Sequence, residues 1–405
     1  MIESIERRTG LTAVGLSVLG AVATVGSVGY VLRARVLLLM AYGVVLLVGA
    51  IAMLGRRRIR IEVERSRLPA RIREGQAVEV EITVSSRRRV QALVLEEQQH
   101  HLVAPPVRLL VPSLQPGSTE THAYVIAPSV RGVYDVGPLV AVWSDPFGMV
   151  RARTRLLPPA QIFVHPRVEH VVDRVLSRAW EDPPVRPPVS KPWPHGFEFY
   201  GMREYVSGDD PRRMVWRAVA RTGRYLVREA EQGITDRVTI VLDTDSAAHA
   251  AGEPSPTLET AVRAAASLGM LHLADGFSIT VETSSGPLVG PLRGRGAGVR
   301  FLDAMAMIRL GRASLPAALL KVLGDPHRDT HHVLVAPHLD HTSARLLRVL
   351  LERGSSLTFV HVVGDEPDPA SVQRAGALGC EIVELGVGRP LAGQFRRAIG
   401  AGLRR

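Results

Sequence analysis

Two stretches concentrate side chains that could do chemistry. Residues 196–221 carry Asp209 and Asp210, then Pro211, then arginines at Arg213, Arg217 and Arg221. Aspartate before proline predicts a helix start, because the carboxylate accepts free backbone N–H groups and the proline is preset for the first position. The four-residue spacing puts the three guanidinium groups on one helix face, with Met214, Val215, Ala218 and Val219 on another and Gly223 at the end. Guanidinium pairs bidentately with carboxylate or phosphate. The stripe therefore suits an acidic partner or a phosphate, or it closes internally on Glu198, Glu204, Asp209 and Asp210. Internal closure is the plainer expectation.

The second stretch is Asp243-Thr244-Asp245-Ser246-Ala247, directly after an apolar run. Carboxylates and hydroxyls in one tight turn suit a hard cation such as Mg²⁺, with Asp243, Asp245 and Ser246 as ligands. A simple helix-capping loop competes with that reading. His327, His331, His332, His338 and His341 cluster in sequence but lack a helix-borne histidine pair with a glutamate, which argues against zinc. The glycines from Gly290 to Gly298 do not follow the strand-to-helix dinucleotide pattern, and a loop is expected there. Neither lysine, Lys191 or Lys321, follows a glycine-rich loop, and G-x-S-x-G and H-E-x-x-H are missing. The sequence thus carries no P-loop, hydrolase elbow or zinc-protease signature, and the expectation is a protein that is not an enzyme.

These stretches need elements to position them. After residue 233, apolar runs at 238–242, 277–281, 332–335, 357–363 and 380–385 alternate with helical periods near 257–275, 299–310, 314–323, 342–353, 368–378 and 389–404. That alternation predicts an α/β doubly wound, mostly parallel sheet over 233–405, with ligands gathering after Leu242 and after Ala336. Residues 56–168 show short alternating runs separated by turn clusters, the pattern of an antiparallel β-sandwich-like domain. Six prolines between Pro183 and Pro194 mark residues 169–195 as an extended linker, and 196–232 form a segment of their own.

The chain of 405 residues is 46% hydrophobic and 22% charged, which excludes a disordered protein. Two uncharged runs, 11–32 and 36–54, are each long enough to cross a bilayer and predict an N-terminal two-helix transmembrane hairpin after a short N-terminus of residues 1–10. Arg7 and Arg8 precede the first run and Arg56, Arg57, Arg58 and Arg60 follow the second, with only Arg33 and Arg35 between them. That bias places both ends and the soluble domains in the cytoplasm. Residues 56–73 add arginines beside the bilayer, where anionic lipid headgroups would attract them. The net charge of +11 is almost wholly arginine. No basic helix interleaves with aromatics, so nucleic-acid binding is not expected. The single cysteine, Cys380, excludes an intramolecular disulfide and reads as core.

The residues Arg203-Glu204-Tyr205, Gly208-Asp209-Asp210, Arg213, Trp216, Ala220-Arg221 and Leu226-Val227-Arg228-Glu229 resemble the bacterial membrane proteins of domain of unknown function 58. So do Arg131-Gly132-Val133-Tyr134, Asp145-Pro146-Phe147-Gly148 and Val164-His165-Pro166-Arg167. The resemblance implies a multi-pass protein of the bacterial cell membrane, a β-rich domain and a von Willebrand factor A-like α/β domain. It also implies a MoxR-type AAA+ ATPase as partner, and marks Arg203, Tyr205, Gly208, Asp209, Asp210, Arg213, Trp216, Arg217 and Arg221 as the signature of an interaction segment. The D-x-S-x-S metal loop of von Willebrand factor A domains is matched here only at Asp243. Asp245 and Ala247 replace the serines, and Ala336-Pro337-His338 stands where a Thr-Asp-Gly turn is expected, which implies a degenerate metal site. The leading expectation is a membrane-anchored adaptor. Its rivals are a metal-dependent hydrolase of a phosphate-bearing substrate, with Asp209, Asp210, Asp243 and Asp245 as ligands, and a purely structural envelope protein.

Overall fold

The computed structural model describes residues 10–55, 61–90, 92–171, 198–206, 214–231, 237–325, 330–364 and 368–395. The chain divides into two compact units, Met1–His165 and Pro166–Arg405. Most of the expected proline-rich linker, with Gly208, Asp209, Asp210 and Arg213, lies outside the described residues.

The first unit opens with two helices, α1 (Ala13–Val31) and α2 (Arg35–Gly55). Both are long and apolar enough to cross a membrane, and little of either is covered by protein. Ser17, Thr24 and Ser27 donate their hydroxyls to the carbonyls of Ala13, Gly20 and Ala23 one turn back, so polar side chains cost the helix little in an apolar setting. Near the connecting turn the helices approach closely. A methyl group at Gly29 would sit 2.9 Å from the Leu37 side chain, the close packing that small residues permit between membrane helices.

Nine strands follow among the described residues of this unit. A three-stranded sheet runs in the order β1 (Glu62–Arg65), β3 (Val78–Ser85), β6 (Thr119–Ile126). The second sheet runs β2 (Arg71–Arg73), β9 (Ala160–His165), β7 (Gly132–Ser144), β4 (Leu93–Gln99), β5 (Val107–Val111), with β8 (Arg151–Leu157) also paired to β7. The long β7 divides its length, giving Gly132–Val136 to β9 and Leu139–Ser144 to β8. Period-two alternation turns Val80, Ile82 and Val84 of the first sheet toward Leu95, Val136, Leu139 and Ile162 of the second, and these meet in one core. The pairing is not wholly antiparallel as expected, because β2 joins β9 in parallel. A three-residue strand, Arg71-Ile72-Arg73, carries too short a pattern to announce its direction.

In the second unit, β10 (Glu198–Glu204) and β11 (Leu226–Glu231) form an antiparallel ribbon with helix α3 (Trp216–Thr222) between them. The helix is shorter than the sequence predicts. Met214 bridges to Val227 and the Val215 amide donates to the Leu226 carbonyl, so this part of the chain is spent on strand-like pairing before α3 begins. Gly223 does end the helix, in the left-handed region at φ 66° that glycine adopts without steric cost. None of the residues of α3 is fully buried, so the expected apolar face is at most half covered.

A six-stranded sheet follows in the order β14 (Gly286–Leu292), β13 (Ser278–Thr283), β12 (Arg237–Leu242), β15 (His331–Ala336), β16 (Ser356–Val363), β17 (Glu381–Gly386). The strands from β13 to β17 in this order are parallel, and β14 is antiparallel to β13. No strand is expected from the sequence at β14. Its Pro287, Gly290 and Pro291 break any strand pattern, yet an edge strand tolerates proline because its outer N–H groups need no ladder partner. The helices are α4 (Pro256–Ala274), α5 (Ala297–Met307), α6 (Leu315–Leu323), α7 (His341–Glu352) and α8 (Pro369–Ala377). Ile240, Leu242, Val333 and Val360 face a core shared with α4 and α5, whereas Val241, Leu334 and Phe359 face one shared with α6 and α7. All six residues of β15 are buried, as expected of a central strand covered on both sides.

Candidate functional site

The carboxyl ends of β12, β15 and β16 open into a cleft of about 1010 Å³ whose lining includes Asp243, Asp245, His249, His338, His361 and Asp368. The sequence expectation that ligands gather after Leu242 and Ala336 falls on this cleft. Its floor is rigid. Asp243 Oδ1 accepts the Asp245 amide at 3.0 Å and the Ser284 hydroxyl at 2.7 Å, and Asp245 Oδ1 accepts the Ala247 amide at 3.0 Å. Ser246 points to solvent, and its amide donates to the Gly311 carbonyl.

His249 is locked behind this loop. Its Nε2 lies 3.0 Å from the Asp243 carbonyl, an acceptor only, and so carries the proton. Its Nδ1, 3.0 Å from the Thr257 hydroxyl, then accepts. Burial pushes this imidazole below the ordinary histidine range and pushes the Asp243 carboxyl up despite the two hydrogen bonds it accepts. Neighbouring His361 is likewise lowered by burial, with its Nε2 donating to the Pro337 carbonyl at 3.1 Å.

On the opposite lip, His338 Nδ1 hydrogen-bonds the Asp368 carboxylate, which also accepts the Ser371 hydroxyl and amide as the cap of α8. Burial works against the charge on Asp368, but the Ser371 and His338 hydrogen bonds outweigh it and hold the carboxyl at about 2. Asp340 caps α7 through the Ser343 amide at 2.9 Å. In sequence His338 stands among the other histidines, and its aspartate partner is thirty residues away. His331 and His332 open β15 whereas His338 follows its far end, so the sequence cluster is not a spatial one.

A divalent cation fits these residues poorly. Among the described residues no three His, Cys, Asp or Glu side chains converge to hold a metal ion. Asp243 and Asp245 already accept hydrogen bonds from their own loop and from Ser284, and among the described residues no third carboxylate joins them.

The signature segment presents a different surface. Trp216 is 62% exposed and Tyr225, just before β11, 59%, with Met202 of β10 and Val206 just after it also exposed. Arg217 and Arg221 are exposed on α3. Glu204, one of the acids expected to close the arginine stripe, lies 3.6 Å from Arg224. The exposed aromatics were legible as residue types, but residue type alone does not say whether a tryptophan or tyrosine is covered, and only the fold leaves Trp216 and Tyr225 open.

Two apolar N-terminal helices, a two-sheet β unit and an α/β unit with a polar cleft and an uncovered ribbon define the class of chain. Residues 201–372 match the family described as protein of unknown function DUF58. The match takes in most of the ribbon, α3, the Asp243 loop and the cleft. No curated protein matches the chain. Among solved structures, β-glucosidase from Listeria innocua in complex with gluconolactone is 16% identical, with TM-score 0.17, over 26% of this chain and 16% of that one. Spo0M, sporulation control protein, from Bacillus subtilis is 16% identical, with TM-score 0.15, over 26% of this chain and 49% of that one. This chain thus spans less than half the length of either, and likenesses so partial say nothing about its activity.

Proposed function

We propose that the protein is a membrane-anchored, non-enzymatic adaptor that displays a von Willebrand factor A-like domain in the cytoplasm to a MoxR-type AAA+ ATPase. The observation that carries the reading is the uncovered ribbon and helix, where Trp216, Tyr225, Met202 and Val206 stand exposed among Arg203, Arg217, Arg221 and Arg224. Tryptophan, tyrosine and arginine are the side chains that dominate protein–protein hot spots. Exposed aromatic and apolar side chains gathered within one short segment support a partner surface there.

The remaining features fit. The mixed sheet with helices on both faces supports the doubly wound reading, and the two sheets that share one core in the first unit support the sandwich reading. Two apolar helices joined by a short turn, with more arginines flanking the pair in the sequence than between them, support a cytoplasmic placement of both ends under the positive-inside rule. The metal-hydrolase reading has no ligand set at the cleft among the described residues.

Capture of the tagged full-length protein from native membranes with Mg²⁺ and ATP tests the adaptor role, beside a Trp216→Ala/Arg217→Ala variant. Recovery of an AAA+ ATPase by the wild type, lost in the variant, is expected; no ATPase in either contradicts it. Protease digestion of sealed vesicles tests the orientation.

A further inference from the structure

The turn between β7 and β8, with the sequence Asp145-Pro146-Phe147-Gly148, plays no part in the adaptor surface, yet it is the point where the β unit meets the apolar helices. The Thr12 amide donates to the Met149 carbonyl at 3.0 Å, the Thr12 hydroxyl to the Gly148 carbonyl at 2.6 Å, and the Arg151 amide to the Gly10 carbonyl at 2.7 Å. Leu11 bridges to Val150, so the chain entering α1 forms a short extra strand on this hairpin. Met149 and Val150 pack with Val48 of α2, joined by Leu11, Val18, Ile51, Ala52 and Trp143. A methyl group at Gly15 would sit 2.3 Å from the Met149 carbonyl oxygen, so only glycine lets the turn seat against α1.

This seat fixes the height of the turn. α1 has 19 residues and rises about 28 Å, close to the ~30 Å of bilayer hydrocarbon. Its first residue, Ala13, adjoins Thr12 on the turn. If α1 spans the bilayer, the turn lies at the boundary between hydrocarbon and headgroups. The turn itself is preorganised. The buried Asp145 carboxylate accepts the amides of Phe147 and Val150, the Gly148 amide returns to the Asp145 carbonyl at 3.0 Å, and Gly148 takes φ 66°. That framework holds Phe147 outward with 67% of its surface exposed. The exposed Arg151 follows at the start of β8.

We propose that this turn is a second bilayer contact, in which Phe147 enters the interfacial layer beside the start of α1 and Arg151 pairs with the phosphates of anionic lipid headgroups. The inference rests on the membrane-anchor reading. An aromatic ring at the headgroup boundary is stabilised there, and a guanidinium matches a lipid phosphate in two parallel hydrogen bonds. The contact would add a direct lipid attachment to the seat that the turn already has on α1 and α2.

The test uses the full-length chain with Cys380→Ser, reconstituted in phosphatidylcholine vesicles with and without phosphatidylglycerol. A fluorophore is placed on Ser144→Cys, an exposed position beside the turn, or on Leu46→Cys, midway along α2. Nitroxide lipids quench either at headgroup depth or deep in the acyl chains. Deep quenching at Leu46 together with headgroup-depth quenching at Ser144 is expected, the latter stronger with phosphatidylglycerol. Phe147→Ser and Arg151→Gln should each weaken quenching at Ser144, the Thr12 seat still holding the turn near the boundary, and leave Leu46 unchanged. Quenching at Leu46 without any at Ser144, or quenching at Ser144 that Phe147→Ser does not alter, overturns the turn contact and leaves the anchor standing. No deep quenching at Leu46 overturns the anchor and this contact with it.

Discussion

Arg65 on β1 and Glu97 on β4 reach across the core of the first unit, Nη1 to Oε1 at 2.5 Å, and tie its two sheets together. Glu97 is almost fully buried and also accepts the Tyr124 hydroxyl from β6, while Arg65 Nη1 donates to the Val136 carbonyl. Burial raises the Tyr124 hydroxyl well above its ordinary range, with Glu97 adding to the rise, so the phenol stays a donor. Removing one partner strands the other. Glu97→Ala should cost about 3–5 kcal/mol, whereas an Arg65→Met/Glu97→Leu pair should cost much less, since broken buried pairs are penalised more than replaced ones. Calorimetric melting of the full chain in detergent checks both; equal losses would deny the network its role.

Gly269 of α4 gives a prediction with a sign opposite to helix propensity. A methyl group there would meet the ring of fully buried Phe301 on α5 at 2.1 Å. In an exposed helix Gly→Ala gains about 1 kcal/mol, but here Gly269→Ala should lose about 1–3 kcal/mol through overpacking. A Gly269→Ala/Phe301→Leu double variant should recover part of the loss, and a coupling term near zero in the double-mutant cycle would contradict the close approach.

His332 sets the acid side of stability in the second unit. Burial, reinforced by His331 beside it, brings its imidazole down to about 4. The unfolded chain takes up a proton near the ordinary value of 6.5, so between pH 6.5 and 4 the unfolded state binds more protons and stability falls as pH falls. The shift corresponds to about 3 kcal/mol, present above pH 6.5 and gone below 4. Buried His249 and His361 add in the same direction, while Asp243, raised by burial, works in the opposite sense at lower pH. Denaturant titrations at pH 7 and 5 should show a smaller difference for His332→Leu than for the wild type. An unchanged difference would assign the acid sensitivity elsewhere.

The Asp243 loop should be indifferent to divalent cations. With its carboxylates bonded to Asp245, Ser284 and Ala247 groups, EDTA should leave the melting of the second unit unchanged and millimolar Mg²⁺ should give no binding heat. A rise in melting temperature with Mg²⁺, lost in Asp243→Asn, would show that a cation displaces those internal bonds.

The elements were legible where periodicity was long and uninterrupted. The uncharged N-terminal runs, the strands at 238–242 and 357–363 and the helices α4, α6 and α7 stand within a few residues of their expected places. Pattern failed where pairing overrode propensity. Met214 and Val215 look helical in sequence but are drawn into the ribbon with Val227 and Leu226, and β14 hides behind its prolines. Long-range partners were illegible for a simpler reason. Glu97 fits an inward position of an alternating strand, yet only the fold brings Arg65 to it from 32 residues away, and the same is true of Asp368 and His338.

The most direct measurement is capture of the full-length protein from native membranes, wild type beside Trp216→Ala/Arg217→Ala, with melting of the purified variant measured in parallel. The account predicts an AAA+ ATPase with the wild type and its loss from a variant that melts like the wild type. An ATPase retained at wild-type yield by the variant would remove the ribbon as the docking surface, and no ATPase with either chain would contradict the adaptor itself.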